Sequence, residues 1–228
     1  MPFNIAIDGP AGAGKSTAAR MLAKNMGYIY VDTGAMYRAM ALFILREALD
    51  PAEKDAVEQA VERVEISLEY QEGAQQLILN GENVTALIRA EAVGKAASVV
   101  SAYPVVRKKL LELQRHLAAR HDVVMDGRDI GTCVLPGADL KVYLTARSRV
   151  RALRRYQELQ EKQQDCSLEE IEKDIIDRDF RDMHREIAPL RQAEDAVCLD
   201  TSNLSLEQVL GELEGLVEDA GTRGCCGC

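Results

Sequence analysis

Lys15 and Ser16 close the run Gly9-Pro10-Ala11-Gly12-Ala13-Gly14-Lys15-Ser16, which fits the pattern G-x-x-x-x-G-K-[ST]. Glycines at this spacing let successive backbone N–H groups turn inward as an anion nest. An ammonium beside such a nest can reach the outer phosphates of a nucleoside triphosphate, and a hydroxyl one residue later can ligate Mg²⁺. Gly9, Pro10, Ala11, Gly12, Ala13, Gly14, Lys15, Ser16 and Thr17 are therefore expected to bind a triphosphate, with Ser16 also at the metal. An ordinary strand-to-helix turn of small residues is the blander reading, and the Lys-Ser pair weighs against it.

Three further clusters could complete a site. Val123-Val124-Met125-Asp126 is an apolar run ending in a carboxylate, a position from which an acid can hold Mg²⁺ or its waters, or else cap the next helix. Arg128 and Asp129 follow at once. Arg178, Arg181, Asp182 and Arg185 are spaced i, i+3, i+4 and i+7, so a helix through them puts three arginines and a carboxylate on one face. Such a run is usually a solvated face. Arginine forks also suit phosphate oxygens, and the interposed carboxylate suits a ribose hydroxyl. Asp32-Thr33-Gly34-Ala35-Met36-Tyr37-Arg38 is the last cluster. Thr33 is expected to cap a helix that carries Tyr37 and Arg38 one turn on, where an acceptor phosphate could sit; a capped helix with a packing tyrosine is the plain alternative.

Elements must bring these clusters together. Apolar runs recur at Asn4 to Asp8, Tyr28 to Val31, Asp122 to Asp126, Leu140 to Thr145 and Ala196 to Asp200, with helical stretches between them. That alternation predicts an α/β fold with a five-stranded parallel sheet covered on both faces. Capping-box spellings at Asp50, Ser167 and Ser205 mark helix starts, and Tyr103-Pro104 opens another helix running to about Ala119. Glu62 to Tyr70 and Gln75 to Asn80 break the alternation and read as a hairpin, so residues 62–100 are expected to form an antiparallel insert. Residues 147–165 hold Arg147, Arg149, Arg151, Arg154 and Arg155 ahead of a polar run, and are expected to be too polar for a core.

The 228 residues are 47% hydrophobic and carry a net charge of −9, which disfavours a nucleic-acid polymer as partner. No apolar run is long enough to cross a membrane, and with no leader pattern at the N-terminus the expectation is a cytoplasmic, monomeric protein of one domain over residues 1–228. Cys133, Cys166 and Cys198 read as reduced small hydrophobes. Cys225, Cys226 and Cys228 fall in residues 221–228, expected to be a flexible tail.

Together, GPAGAGKST, VDTGAMYRA, DGRDIGT and RDFRDMHREIAPL resemble the bacterial cytidylate kinases, from about Asn4 to Leu210. The resemblance implies a P-loop NTPase-type three-layer fold and transfer of the γ-phosphoryl group of ATP to CMP or dCMP, with Mg²⁺. It implies that residues 62–100 are the monophosphate-binding insert and 147–165 a lid closing over ATP. It implies contacts to CMP from Thr33, Tyr37, Arg38, Ser98, Arg107, Asp129, Arg178, Asp182 and Arg185, with Ser98, Arg107 and Asp129 reading the base. Lys15, Arg128, Arg154, Arg155 and Arg185 would act on the transferring group, and Ser16 and Asp126 on the metal. Arg147 and Arg149 depart from the family, which tends to have small or acidic residues there. A GTPase would need D-x-x-G and N-K-x-D, and neither string occurs. Shikimate, adenylate and thymidylate kinases share the reaction type, but DGRDIGT and the inserted hairpin weigh against them.

Overall fold

In the computed structural model, residues 2–71, 74–161 and 163–225 are described. Five strands, β1 (Asn4–Asp8), β2 (Ile29–Asp32), β6 (Val123–Gly127), β7 (Leu140–Thr145) and β8 (Val197–Asp200), form a wholly parallel sheet of order β2-β6-β1-β7-β8. A separate antiparallel sheet holds β3 (Ile66–Gln71), β4 (Ala74–Leu79) and the short β5 (Glu82–Asn83).

Strand pleating divides the interior into two cores. Ile5, Ile7, Val124, Val142 and Leu144 face α1 (Lys15–Met26) and α8 (Leu206–Cys225), where Leu22, Val209 and Leu213 meet them. Ala6, Val123 and Met125 face the other way, toward α2 (Thr33–Arg46) and α5 (Pro104–Ala118). Helices on both faces of the sheet make the three layers that the sequence predicts. The insert shares the second core: Leu77, Val84, Ile88 and Val93 are buried with Met36, Met40 and Ile44 of α2. Between β5 and β6 the chain also runs through α4 (Glu91–Val100).

Parallel pairing aligns the strand ends that matter. Asp32 lies opposite Asp126, Asp126 opposite Ile7, and Asp8 opposite Gly127. The glycine loop, the start of α2 and the Arg128-Asp129 segment therefore leave the sheet side by side at its carboxyl edge, where open α/β sheets bind ligands.

Local differences from the sequence pattern have simple causes. The helix after Asp50 starts later, as α3 (Lys54–Val61), because the Asp50 carboxylate accepts from the Ala52 N–H at 2.9 Å and closes a turn instead of a cap. At Ser205 the capping box forms in full, with Ser205 Oγ accepting from the Gln208 N–H and Gln208 Oε1 from the Ser205 N–H. The first hairpin strand begins at Ile66 because Val64 N–H bonds back to Val61 O and prolongs the turn of α3. Helix α8 continues through Cys225, into the stretch expected to be a flexible tail, since residues 221–225 continue its hydrogen-bonded register; Cys226 and Cys228 lie outside the described residues.

Candidate active site

The donor wall is built mainly of backbone. Gly9 has φ +146°, and a Cβ there would lie 1.9 Å from Leu144 O, so only glycine lets the loop pass β7. Gly14, at φ +93°, precedes the first turn of α1 and aims its free N–H groups into the loop. Lys15 is buried and its ammonium donates to Pro10 O at 2.7 Å. Burial pushes the Lys15 pKa down, and nearby Arg128 pushes it further. A cation so placed gains from an anion.

Beside it, Ser16 Oγ donates to Asp126 Oδ2 at 2.7 Å and the Tyr30 hydroxyl donates to Asp126 Oδ1 at 2.9 Å. Burial raises the Asp126 carboxyl above its ordinary range, with Asp32 adding to the shift and Lys15 opposing it. This hydroxyl and carboxylate fit a hard cation of the Mg²⁺ type. Among the described residues no group of three His, Cys, Asp or Glu side chains is arranged to hold a metal ion.

The acceptor wall is built of side chains. Thr33 does not cap α2: its hydroxyl donates to Asp126 O at 2.7 Å, and the Asp32 carboxylate takes the cap position, accepting from Ala35 N–H at 2.9 Å. Tyr37 projects one turn on, its hydroxyl pushed up to about 12 by burial, with the Arg107 guanidinium 5.8 Å from the ring centre. Arg38 is lowered by burial. Ser98 reaches the same space from α4.

Helix α7 (Leu168–His184) starts at the expected Ser167 cap and carries Arg178 and Asp182 on its cleft face. Two expectations fail along it. Arg181 is exposed and turned away, with its Nε bonded to Asp177 O. Arg185 is not helical, because the chain extends after His184, held by Arg185 Nε donating to Ala188 O and by Leu190 N–H bonding back to Asp182 O. That bend, rather than helical spacing, swings Arg185 to Asp129 at 3.1 Å.

Ion pairs lock this wall. The buried Asp129 carboxylate accepts from both Arg107 and Arg185, and Arg128 Nε donates to Asp182 at 3.0 Å. Arg178 is different: its Nε is buried without a partner among the described residues, and burial together with Arg128 lowers its pKa to about 10.

Both walls face one cavity of about 570 Å³, lined by nine basic and five acidic side chains in a chain of net charge −9. Ala11 to Thr17, Thr33, Tyr37, Arg38, Ser98, Asp126, Arg128, Asp129, Arg154, Arg155, Arg178, Asp182 and Arg185 line it. Of the expected contact residues, Gly9, Pro10 and Arg107 do not line this cavity: Gly9 packs against Leu144 O, and Arg107 is paired with Asp129, which does line it.

The arginines after β7 separate by contact. They lie on or beside α6 (Ser148–Glu161), which packs along α7. Arg154 reaches Thr201 O at 2.7 Å and Ala13 O at 3.5 Å, beside the glycine loop, while Arg155 is half exposed and pairs with Glu158. Arg147 bonds Asn203, and Arg149 pairs with Glu172, away from the opening. Arg151 contradicts the expectation that this stretch is too polar for a core: it is buried, with its charge matched by Asp179 at 2.6 Å.

Asp8 was also not singled out by the sequence pattern. It accepts from the N–H groups of Ile130 and Gly131 at 2.8 and 2.7 Å, fixing the wide turn that follows Asp129, and burial raises its carboxyl to about 6. Its signal in the sequence was the one that marked Asp126, an acid ending an apolar strand. That of Arg151 was its i, i+3 and i+4 spacing to Arg154 and Arg155.

A glycine cradle at the carboxyl edge of a parallel sheet, facing an arginine wall across a shared cavity, is the arrangement of a P-loop kinase. The model of the family described as cytidylate kinase matches residues 5–219. Curated cytidylate kinases are similar along nearly their whole lengths. That of Lactobacillus gasseri is 45% identical over 95% of this chain and 94% of the relative. That of Caldicellulosiruptor saccharolyticus is 48% identical over 91% and 92%. That of an Exiguobacterium species is 48% identical over 95% and 97%. The chain belongs to the cytidylate kinase family. Among the described residues, no helix is long and apolar enough to cross a membrane.

Proposed function

We propose that this protein transfers the γ-phosphoryl group of ATP to CMP or dCMP, giving ADP and CDP or dCDP, and that it needs Mg²⁺. The observation that carries this reading is the single cavity between Lys15 and the Arg128, Arg178 and Arg185 cluster. Family membership supplies the acceptor base.

The acceptor oxygen is already anionic, so the protein has little proton chemistry to perform. Its work is alignment of two repelling anions. The loop amides and Lys15 hold the donor phosphates, and Ser16 with Asp126 would hold Mg²⁺, which supplies charge neutralisation on the phosphate oxygens when bound. Arg38, Arg178 and Arg185 hold the acceptor phosphate, while Thr33 and Tyr37 shape its seat and Asp182 takes the ribose. Arg128, electrostatically close to both Lys15 and Arg178, stabilises charge on the group in transit. Arg154, beside the loop, is the better placed of the two proposed lid arginines, and Arg155 has to exchange Glu158 for phosphate as the segment closes and excludes water.

Asp129, Arg107 and Ser98 can answer cytosine's exocyclic amine, ring nitrogen and carbonyl. Uracil presents N3–H and O4 instead, and each mismatched buried polar group costs about 1–3 kcal/mol. The test is ADP formation from ATP and Mg²⁺ with a panel of nucleoside monophosphates, with and without EDTA. Saturable turnover with CMP and dCMP, weaker with UMP and abolished by chelation, is expected. Equal turnover with AMP or dTMP, or none with CMP, would overturn the assignment.

A further inference from the structure

Arg151 makes three hydrogen bonds to three parts of the fold. Its Nε donates to Ala146 O at 2.8 Å, one Nη to Ala11 O in the glycine loop at 2.9 Å, and the other Nη to Asp179 on α7 at 2.6 Å. The loop also packs on its stem, since a Cβ on Gly12 would lie 3.3 Å from Arg151 Cβ. Asp179 sits next to Arg178 and three residues before Asp182, so its buried carboxylate is fixed to the helix that carries the acceptor residues.

We infer that Arg151 and Asp179 form a strut that sets the acceptor helix against the phosphate loop, and that both are positioning residues for the transfer step. This inference rests on the proposed kinase reaction. A planar guanidinium with every nitrogen engaged holds its three acceptors at fixed angles, which a lysine cannot do. Arg151 lines the cavity, but its three nitrogens are engaged by two carbonyls and a carboxylate of the protein, so it acts through the loop rather than on phosphate. Neighbouring Arg154 makes one longer bond to the loop, to Ala13 O at 3.5 Å, and stays the arginine for the ligand. Each half of the site keeps its own contacts if the strut is cut. What changes is the distance and angle between the halves, to which in-line transfer is acutely sensitive: an error of about 1 Å lowers rate by roughly 10²-fold.

Asp179→Asn is the gentlest cut. Asp179 Oδ1 has no hydrogen-bond partner among the described residues, so the amide displaces no second bond, and the remaining oxygen can still accept from Arg151, without the charge. The wild type, D179N, R151K and the double variant are assayed for kcat and for KM of ATP and CMP, with thermal melts of each. Each single variant is expected to lower kcat by roughly 10- to 100-fold, with both KM values within about threefold, and the double to lose no more than the worse single. Unchanged kcat in a folded D179N, or a raised KM for ATP at unchanged kcat, would overturn the positioning role. Failure of both single variants to fold would mark the pair as a folding element and overturn it too. A wild type inactive toward every nucleoside monophosphate would instead remove the kinase reading on which the strut depends.

Discussion

On the proposed reading, the two walls of the cavity meet phosphate by opposite means. On the donor side the binding groups are amides of a loop whose path is fixed by Gly9 against Leu144 and by α1, with one buried ammonium added. On the acceptor side they are long side chains held in place by carboxylates, Arg107 and Arg185 by Asp129 and Arg128 by Asp182. Amides fixed by backbone need no counter-charge. Guanidiniums lose rotamer freedom and solvation when crowded, and the interposed carboxylates offset part of that loss. The donor wall should therefore tolerate loss of its cation structurally, while the acceptor wall should lose fold and function together wherever an ion pair is cut.

The largest effect is expected at Lys15. Lys15→Met should lower kcat by roughly 10²–10³-fold, the scale for removing one well-placed charge donor, with a melting temperature at or above wild type because a desolvated cation is gone. Steady-state kinetics and a thermal melt check both halves of that statement. Arg185→Ala should also cut turnover severely, but with about 1–3 kcal/mol of stability lost in denaturant titrations, since buried Asp129 keeps only Arg107. The sequence pattern alone, with Arg185 on an open helical face, predicts a substitution without structural penalty.

Arg178→Met separates the two kinds of arginine. With its Nε lacking a partner among the described residues and its pKa depressed, Arg178 should raise KM for CMP on removal without destabilising the fold. Equal destabilisation by the Arg178 and Arg185 variants would erase the proposed distinction. Asp129→Asn should narrow the preference for CMP over UMP, read as the ratio of kcat/KM values, and an unchanged ratio removes Asp129 from base reading.

The smallest effect is a slope. Asp8 has a folded pKa of about 6 against an ordinary 3.8, so the folded state holds more protons than the unfolded state between those values. Its contribution to stability is therefore fullest below about pH 4 and declines as pH rises to about 6. Unfolding titrations of wild type and Asp8→Asn should show the stability difference falling across that window; a difference flat with pH would contradict the raised pKa.

Much of the donor wall was legible in the chain because it depends on local spacing. A strand, three glycines, Lys-Ser and a helix former occur within two dozen residues, and β1 and β7 fall on the predicted runs. The acceptor wall was legible as residue types but not as geometry. Helical spacing placed Arg181 in the cleft and Arg185 on the same helix, yet the Arg185 bond to Ala188 O and the Leu190 return to Asp182 hold the chain bent after His184. Thr33 looked like the cap because its hydroxyl could serve, and Asp32 took that position because β2 and β6 pairing offers Thr33 the Asp126 carbonyl. Arg151 and Asp8 act through contacts separated by 28 to 140 residues in sequence, which no local pattern encodes.

The most direct measurement is calorimetric titration of CMP into protein saturated with a non-hydrolysable ATP analogue and Mg²⁺, followed by competition for the bound analogue. Two adjoining sites predict one CMP per chain, bound without release of the analogue, and loss of that binding in Arg178→Met. CMP that expels the analogue, or that fails to bind the loaded protein, would contradict an arginine wall built for a second nucleotide.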